Sequence, residues 1–217
     1  MSAQLQWDAV DALIEHTLLD HDPALEACLL RSREAGLPDI AVSAAQGKLL
    51  ALFAMAAGAQ RILEIGTLGG YSAIWLARGA GPDGRVVTLE CEAHYAKVAR
   101  ANILTAGLAS RIEIIVGPAL ETLHEMEGPF DMAFIDADKV NNIAYLDHAL
   151  RMVKAGGTII VDNVVRSGAI LDQDADEAAR AARSLYDHIA ATPQLDATAL
   201  QTVGSKGWDG MIVARLL

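Results

Sequence analysis

The chain has 217 residues, 53% hydrophobic and 21% charged, with 18 glycines and 6 prolines; this fits one compact globular domain and excludes disordered, collagen-like and low-complexity chains. Acidic residues outnumber basic ones 28 to 17, a net charge of −11, which is the wrong sign for a nucleic-acid backbone or an anionic membrane surface. The apolar run at residues 49–59 is far short of the roughly 20 residues that cross a bilayer, the first ten residues carry no leader pattern, and Cys28 and Cys91 are isolated, so a cytoplasmic protein without disulfides, membrane or nucleic-acid partners is expected.

In chain order, residues 1–60 read as helical, with an interruption at Gly36-Leu37-Pro38. From Arg61 onward short apolar runs alternate with longer stretches whose apolar residues recur every three or four positions. The runs at 61–65, 85–89, 112–116, 132–135 and 158–161 are predicted strands, and the stretches 71–78, 93–106, 119–125 and 143–152 are their crossover helices. The Gly-Pro-Asp-Gly turn at 81–84, a C-cap glycine at 107 and Ala-Gly-Gly at 155–157, read as opening the fifth strand, punctuate them. After Asn163 an acidic stretch at 172–177 leads into a helix ending near Ala190. Two further runs, 198–203 and 211–214, are joined by a glycine-rich turn over 204–210 and predict an antiparallel hairpin at the sheet edge. The expectation is one α/β domain over 1–217, a helical extension at 1–60 followed by a mainly parallel core at 61–217.

The first strand runs through Glu64-Ile65-Gly66-Thr67-Leu68-Gly69-Gly70 into a helix, a turn that lets a nucleotide approach the backbone at the carboxyl end of a sheet. It is not the dinucleotide fingerprint, because Leu68 stands where the second glycine belongs. An acid two residues before Gly66 repels a pyrophosphate but suits a ligand with an amino group, which favours S-adenosylmethionine over NAD. Glu90 follows Gly66 by 24 residues, close to the offset of about 20 at which an acid meets ribose hydroxyls. Either acid alone reads equally as a helix cap or a solvent-facing strand end.

Strands four and five also end in acids, at Asp136-Ala137-Asp138-Lys139 and Asp162-Asn163. Asp136, Asp162 and Asn163 offer three hard oxygen donors at one sheet edge, suited to Mg²⁺, with Mn²⁺ or Ca²⁺ as alternatives, and leave positions open for water and substrate. As a plainer alternative, the two aspartates are turn formers. Lys139, three residues past Asp136, is the candidate general base for a phenolic proton, with a solvated surface lysine as its alternative.

Three motifs together carry a resemblance: Glu64-x-Gly66-x-x-Gly69-Gly70-Tyr71-Ser72, Phe130-Asp131-x-x-Phe134-Ile135-Asp136-x-Asp138-Lys139, and Gly156-Gly157-x-x-x-x-Asp162-Asn163. Over roughly residues 38–216 the chain resembles the cation-dependent O-methyltransferases of the caffeoyl-CoA and catechol type. The resemblance implies a Rossmann-like class I methyltransferase sheet of seven strands with the last antiparallel and helices on both faces. It also implies S-adenosylmethionine as donor, a divalent cation, a vicinal dihydroxy-aromatic acceptor and a homodimer. By position it assigns Val42, Glu64, Gly66, Thr67, Tyr71 and Ser72 to the methionine end of the cofactor, Glu90 to the ribose and Ala119 to the adenine. Asp136 is placed beside the cofactor as well as in the metal set with Asp162 and Asn163, and Lys139 is the base.

The departures concern the acceptor and the adenine contact. Relatives more often carry Gly-Asp-Ala where this chain has Gly117-Pro118-Ala119. The acid of animal catechol enzymes is missing from residues 202–206, and the tryptophan of plant relatives is missing from residues 164–168. Arg166 and Lys206 read either as attractors of an acidic acceptor or as exposed bases, and Trp208 either as a wall for the ring or as an edge-strand aromatic. An NAD-dependent oxidoreductase on a similar sheet, and a catalytically silent cofactor-binding protein, are the competing readings. The six histidines show no ligand spacing and receive no role.

Overall fold

Successive residues of a strand face opposite sides of a sheet, and strands that are apolar on both sides must be covered on both. In the computed structural model, which describes residues 2–217, β1 (Arg61–Ile65), β2 (Arg85–Glu90), β3 (Ile112–Val116), β4 (Phe130–Ile135) and β5 (Val153–Asp162) form the parallel part of a seven-stranded sheet. β6 (Leu195–Gly204) and β7 (Gly207–Leu216) complete the order β3-β2-β1-β4-β5-β7-β6, with β7 antiparallel to both neighbours. Ile62, Met132, Phe134 and Ile160 pack on one face with residues of α2 (Pro23–Glu34), α3 (Ala44–Ala56), α4 (Tyr71–Gly79) and α5 (Ala93–Thr105). Their neighbours Leu63, Ile65, Ala133, Ile135, Ile159 and Val161 pack on the other with α6 (Ala119–Glu125), α7 (Asn142–Met152) and α8 (Glu177–Ala190).

Local chemistry sets the helix starts. Ser43 and Gln46 form a reciprocal capping box on α3, and Asp22 caps α2 ahead of Pro23 at its first position. α3 and α4 approach so closely at Gly47 that a side chain there would overlap the Trp75 ring. α1 (Ala3–Leu18) lies against the β6–β7 turn, where Asp11 Oδ2 accepts the Ser205 N–H at 2.7 Å and Gln4 donates to the Gly204 carbonyl at 3.0 Å. Among the described residues no helix is long and apolar enough to cross a membrane.

Two expectations about the last strands need correction. Ala-Gly-Gly at 155–157 lies inside β5 rather than opening it: pairing with β4 holds at Phe130↔Val153, shifts register, and resumes at Met132↔Thr158. Gly156, at φ +79°, takes up this irregularity as bulge glycines do. The turn between β6 and β7 is Ser205-Lys206 alone, flanked by Gly204 and Gly207, so Trp208, Asp209 and Gly210 belong to β7. Asp131, part of the second motif, serves the opposite end of the sheet. Its carboxylate accepts the Gln60 and Arg61 N–H groups and pairs with Lys154.

Candidate active site

β1 is flanked by β2 on one side and β4 on the other, so the strand order reverses at its carboxyl end. A crevice opens at such a switch point. Here it is a cavity of about 1450 Å³, well beyond the roughly 300–1,000 Å³ of a usual small-molecule site and large enough for two ligands. The turn after β1 forms its floor. Gly66, at φ +101°, passes so close to the Asp136 carbonyl that any Cβ would overlap it, which brings the ends of β1 and β4 together. Asn102 of α5, fully buried, donates to the Gly69 carbonyl at 2.8 Å and accepts from Arg31 of α2.

Val42, Gly66, Thr67, Tyr71, Ser72, Glu90, Ala119, Asp136, Lys139, Asp162 and Asn163 all line this one cavity. Glu64 does not. It is fully buried beneath the floor, where Thr88 donates to its Oε2 at 2.6 Å and Thr67 lies 2.5 Å from Thr88, while Oε1 has no partner. Its carboxyl is linked to the wall through the Thr88 and Thr67 hydroxyls. Burial pushes its carboxyl up to about 8; the Ser72 and Thr88 hydroxyls oppose the shift, and the charges of Asp136 and Glu90 add to it.

This carries a consequence for stability. Between pH 4.5, the ordinary value, and about 8, the folded chain holds a proton that the unfolded chain has released. The stability from that proton is complete below the unfolded pKa and is lost as pH rises through the folded one, at up to about 1.4 kcal/mol per pH unit. Glu64→Gln cannot titrate, so the melting temperature of the wild type is expected to fall relative to the variant from pH 6 to 8. Parallel melting profiles across that range would show Glu64 already ionised in the fold.

Glu90 spans the turn with both oxygens. Oε2 accepts the Leu68 N–H at 2.7 Å and Oε1 the Glu92 N–H at 2.9 Å, leaving further lone pairs toward the cavity. Lys139 Nζ donates to Asp136 Oδ1 at 2.9 Å, with its side chain only 9% exposed. Asp162 is 2% exposed; burial and then the Asp136 charge push its carboxyl up, and the Asn163 N–H and Lys139 hold it down. Asn163 sits at φ +56°, a left-handed conformation that asparagine tolerates better than most residues. Asp138 accepts from the Tyr145 hydroxyl at 2.5 Å and from Asn141 at 2.6 Å, anchoring the turn that carries Lys139.

A profile of the family described as O-methyltransferase matches residues 16–217. The chain belongs to this O-methyltransferase family. It is 57% identical over 206 residues to a catechol O-methyltransferase of Mycobacterium tuberculosis, covering 94% of each chain. An O-methyltransferase of Bacillus cereus, solved in complex with SAH, superposes with a TM-score of 0.96 at 49% identity, over 98% of this chain and 99% of that one. A Streptomyces achromogenes O-methyltransferase involved in tomaymycin synthesis, solved with SAM, gives 0.95 at 43% identity over 100% and 99%.

Several wall residues of this O-methyltransferase were not legible in its sequence. Asp11, Ile14 and Glu15 arrive from α1, and Tyr145 and Asp209 from α7 and β7. Residues 202–206 line the cavity without an acid of their own, and the Asp11 carboxylate lies against Gly204 and Ser205 instead. Trp208 is not part of the wall: its ring packs over Gly168, and its indole N–H donates to Gln201 at 3.0 Å. Among the described residues no three His, Cys, Asp or Glu side chains cluster as a metal site; the candidate set remains two carboxylates and one amide.

Proposed function

We propose that the chain transfers the methyl group of S-adenosylmethionine to one hydroxyl of a vicinal dihydroxy-aromatic small molecule, with the help of a divalent cation. The observation that carries this is the single cavity in which the glycine turn and Glu90 face the Asp136, Lys139, Asp162 and Asn163 group. The donor named with the Streptomyces relative and the acceptor class in the name of the Mycobacterium relative support it. Exposed Val10, Leu13 and Leu18 on α1 support a homodimer as part of the same reading.

The residues fit both groups. Gly66, Thr67 and Ser72 line the cavity where the methionine end would lie, and Glu90 retains acceptor capacity for ribose hydroxyls. Asp136, Asp162 and Asn163 are hard oxygen donors, and the buried Asp162 carboxyl lies within the influence of the Asp136 charge, a repulsion that a cation between them would relieve. Those three residues would hold a divalent cation, which would supply Lewis-acid chemistry that lowers the pKa of the acceptor hydroxyls. Lys139 takes the hydroxyl proton at Nζ. The phenolate oxygen then forms a bond to the methyl carbon as the carbon–sulfur bond breaks, releasing S-adenosylhomocysteine, and Lys139 returns its proton to water. Alignment of oxygen, carbon and sulfur within the cavity supplies most of the acceleration.

The test is transfer of labelled methyl to catechol, a caffeoyl ester and 3,4-dihydroxybenzoate, each with Mg²⁺ and with EDTA. Product with Mg²⁺ and nearly none with EDTA is expected. Equal rates in both arms would remove the cation from the reading, and methylation of none of the acceptors would remove their class.

A further inference from the structure

Arg33, Lys139, Arg166 and Lys206 line the cavity wall; the Arg33 side chain is exposed and, among the described residues, makes no ion pair or hydrogen bond, whereas Arg166 is half-buried. Lys139 is paired with Asp136, and Lys206 reaches the Asp39 carboxylate at 3.0 Å. Arg166 lines the same cavity half-buried, yet among the described residues its guanidinium makes neither an ion pair nor a hydrogen bond; its N–H alone is engaged. Three acids of the cavity wall hold other groups. Asp209 Oδ1 accepts the N–H groups of Val165, Arg166 and Gly210 at 3.0, 2.9 and 2.9 Å, Asp11 holds Ser205, and Asp39 holds Lys206. In a chain of net charge −11, a half-buried arginine left without a carboxylate offers its fork of donors to whatever enters the cavity.

The backbone holds that side chain in place at a cost. Arg166 and Ser167 sit at φ +55° and +54°, a left-handed conformation disfavoured for any residue with a side chain, and such strain persists only where the surroundings impose it. Here Asp209 fixes the N–H groups, the Ser167 hydroxyl donates to the Trp208 carbonyl at 3.2 Å, and the Trp208 ring lies over Gly168. The loop starts directly from Asp162 and Asn163, so it links the proposed cation ligands to the guanidinium through only two intervening residues, Val164 and Val165.

We propose that Arg166 selects the acceptor by pairing with an anionic group on its ring, so that the natural substrate class is a vicinal dihydroxy-aromatic acid. This rests on the proposed methyl transfer at the same site and adds the charge of the acceptor to it. A carboxylate matches the guanidinium fork through two parallel N–H···O bonds, which an ester of the same shape cannot accept with full charge.

The experiment compares kcat/KM for 3,4-dihydroxybenzoate and its methyl ester in the wild type, Arg166→Gln and Arg166→Lys, with plain catechol as the control for the reaction itself. The wild type is expected to favour the acid over the ester by about tenfold or more, a ratio typical of one charge-assisted pair. In Arg166→Gln that ratio falls to near one, chiefly through KM for the acid, while Arg166→Lys keeps part of it because the charge remains without the fork. Calorimetry of acid and ester with Mg²⁺ and S-adenosylhomocysteine present reads the same ratio in Kd without turnover. Equal use of acid and ester by the wild type, or a ratio that Arg166→Gln leaves unchanged, overturns the proposal and leaves the methyl-transfer reading intact. If catechol, acid and ester all fail as acceptors, that reading falls, and the Kd ratio alone then decides whether Arg166 recognises the acid.

Discussion

Lys139→Met is expected to lower kcat for catechol methylation by about 10²–10⁴-fold at pH 7.5, the range that a positioned general base contributes. The side chain has the placement this role demands: it is nearly enclosed, it reaches the cavity, and its Nζ is held at 2.9 Å from Asp136 Oδ1 by the short turn that Asp138, Tyr145 and Asn141 brace. The pH profile separates loss of the base from loss of structure. Without Lys139 the acceptor must ionise by itself, so the rate of the variant climbs toward the phenol range near pH 10, and more acidic catechols recover more of the lost activity. A variant that keeps more than a third of the wild-type kcat, or one whose pH profile has the wild-type shape at a lower level, would take the base role away from Lys139.

What the sequence disclosed followed from how local each signal is. β1 and β3 begin and end where their apolar runs do, and Glu90, Asp136 and Asp162 were legible because each stands at the carboxyl end of a buried strand, which topology gathers at one edge. β5 was read too short because Gly156 and Gly157 look like a turn, while the structure uses them as an irregularity inside a strand. β6 and β7 were found only at their centres. β6 is largely exposed, so composition marks neither its length nor the two-residue turn that follows it. The motif assigns Glu64 to the ligand, but a motif gives spacing and not depth, and the full burial of that carboxyl against Thr88, itself in contact with Thr67, is visible only in the fold. Asp11 and Asp209 act on the site by capping N–H groups of loops 194 and 43 to 44 residues away in sequence, a separation that leaves no pattern to read.

Asp162→Asn is expected to weaken Mg²⁺ or Mn²⁺ binding by at least about 100-fold, since changes one shell further out already cost about 10–100-fold in metal affinity or activity. Methyl transfer should fall in step at fixed cation concentration, while S-adenosylmethionine binding, for which the glycine turn and Glu90 are the proposed contacts, stays within a few-fold. The fold itself should not suffer. Asp162 is almost fully enclosed and faces the Asp136 charge, so without a cation its ionised form is disfavoured, and asparagine reproduces the shape of the neutral form without the charge. The Asn163 N–H bond to Oδ1 at 2.8 Å survives through the amide oxygen. The melting temperature of the cation-free variant is therefore expected to equal or exceed that of the wild type, and the wild type is expected to gain stability on adding Mg²⁺ where the variant gains little. Calorimetric titration with the cation and thermal melting decide the matter together: unchanged cation affinity in a folded variant would remove Asp162 from the metal set, and a large drop in cation-free stability would make it a structural carboxylate.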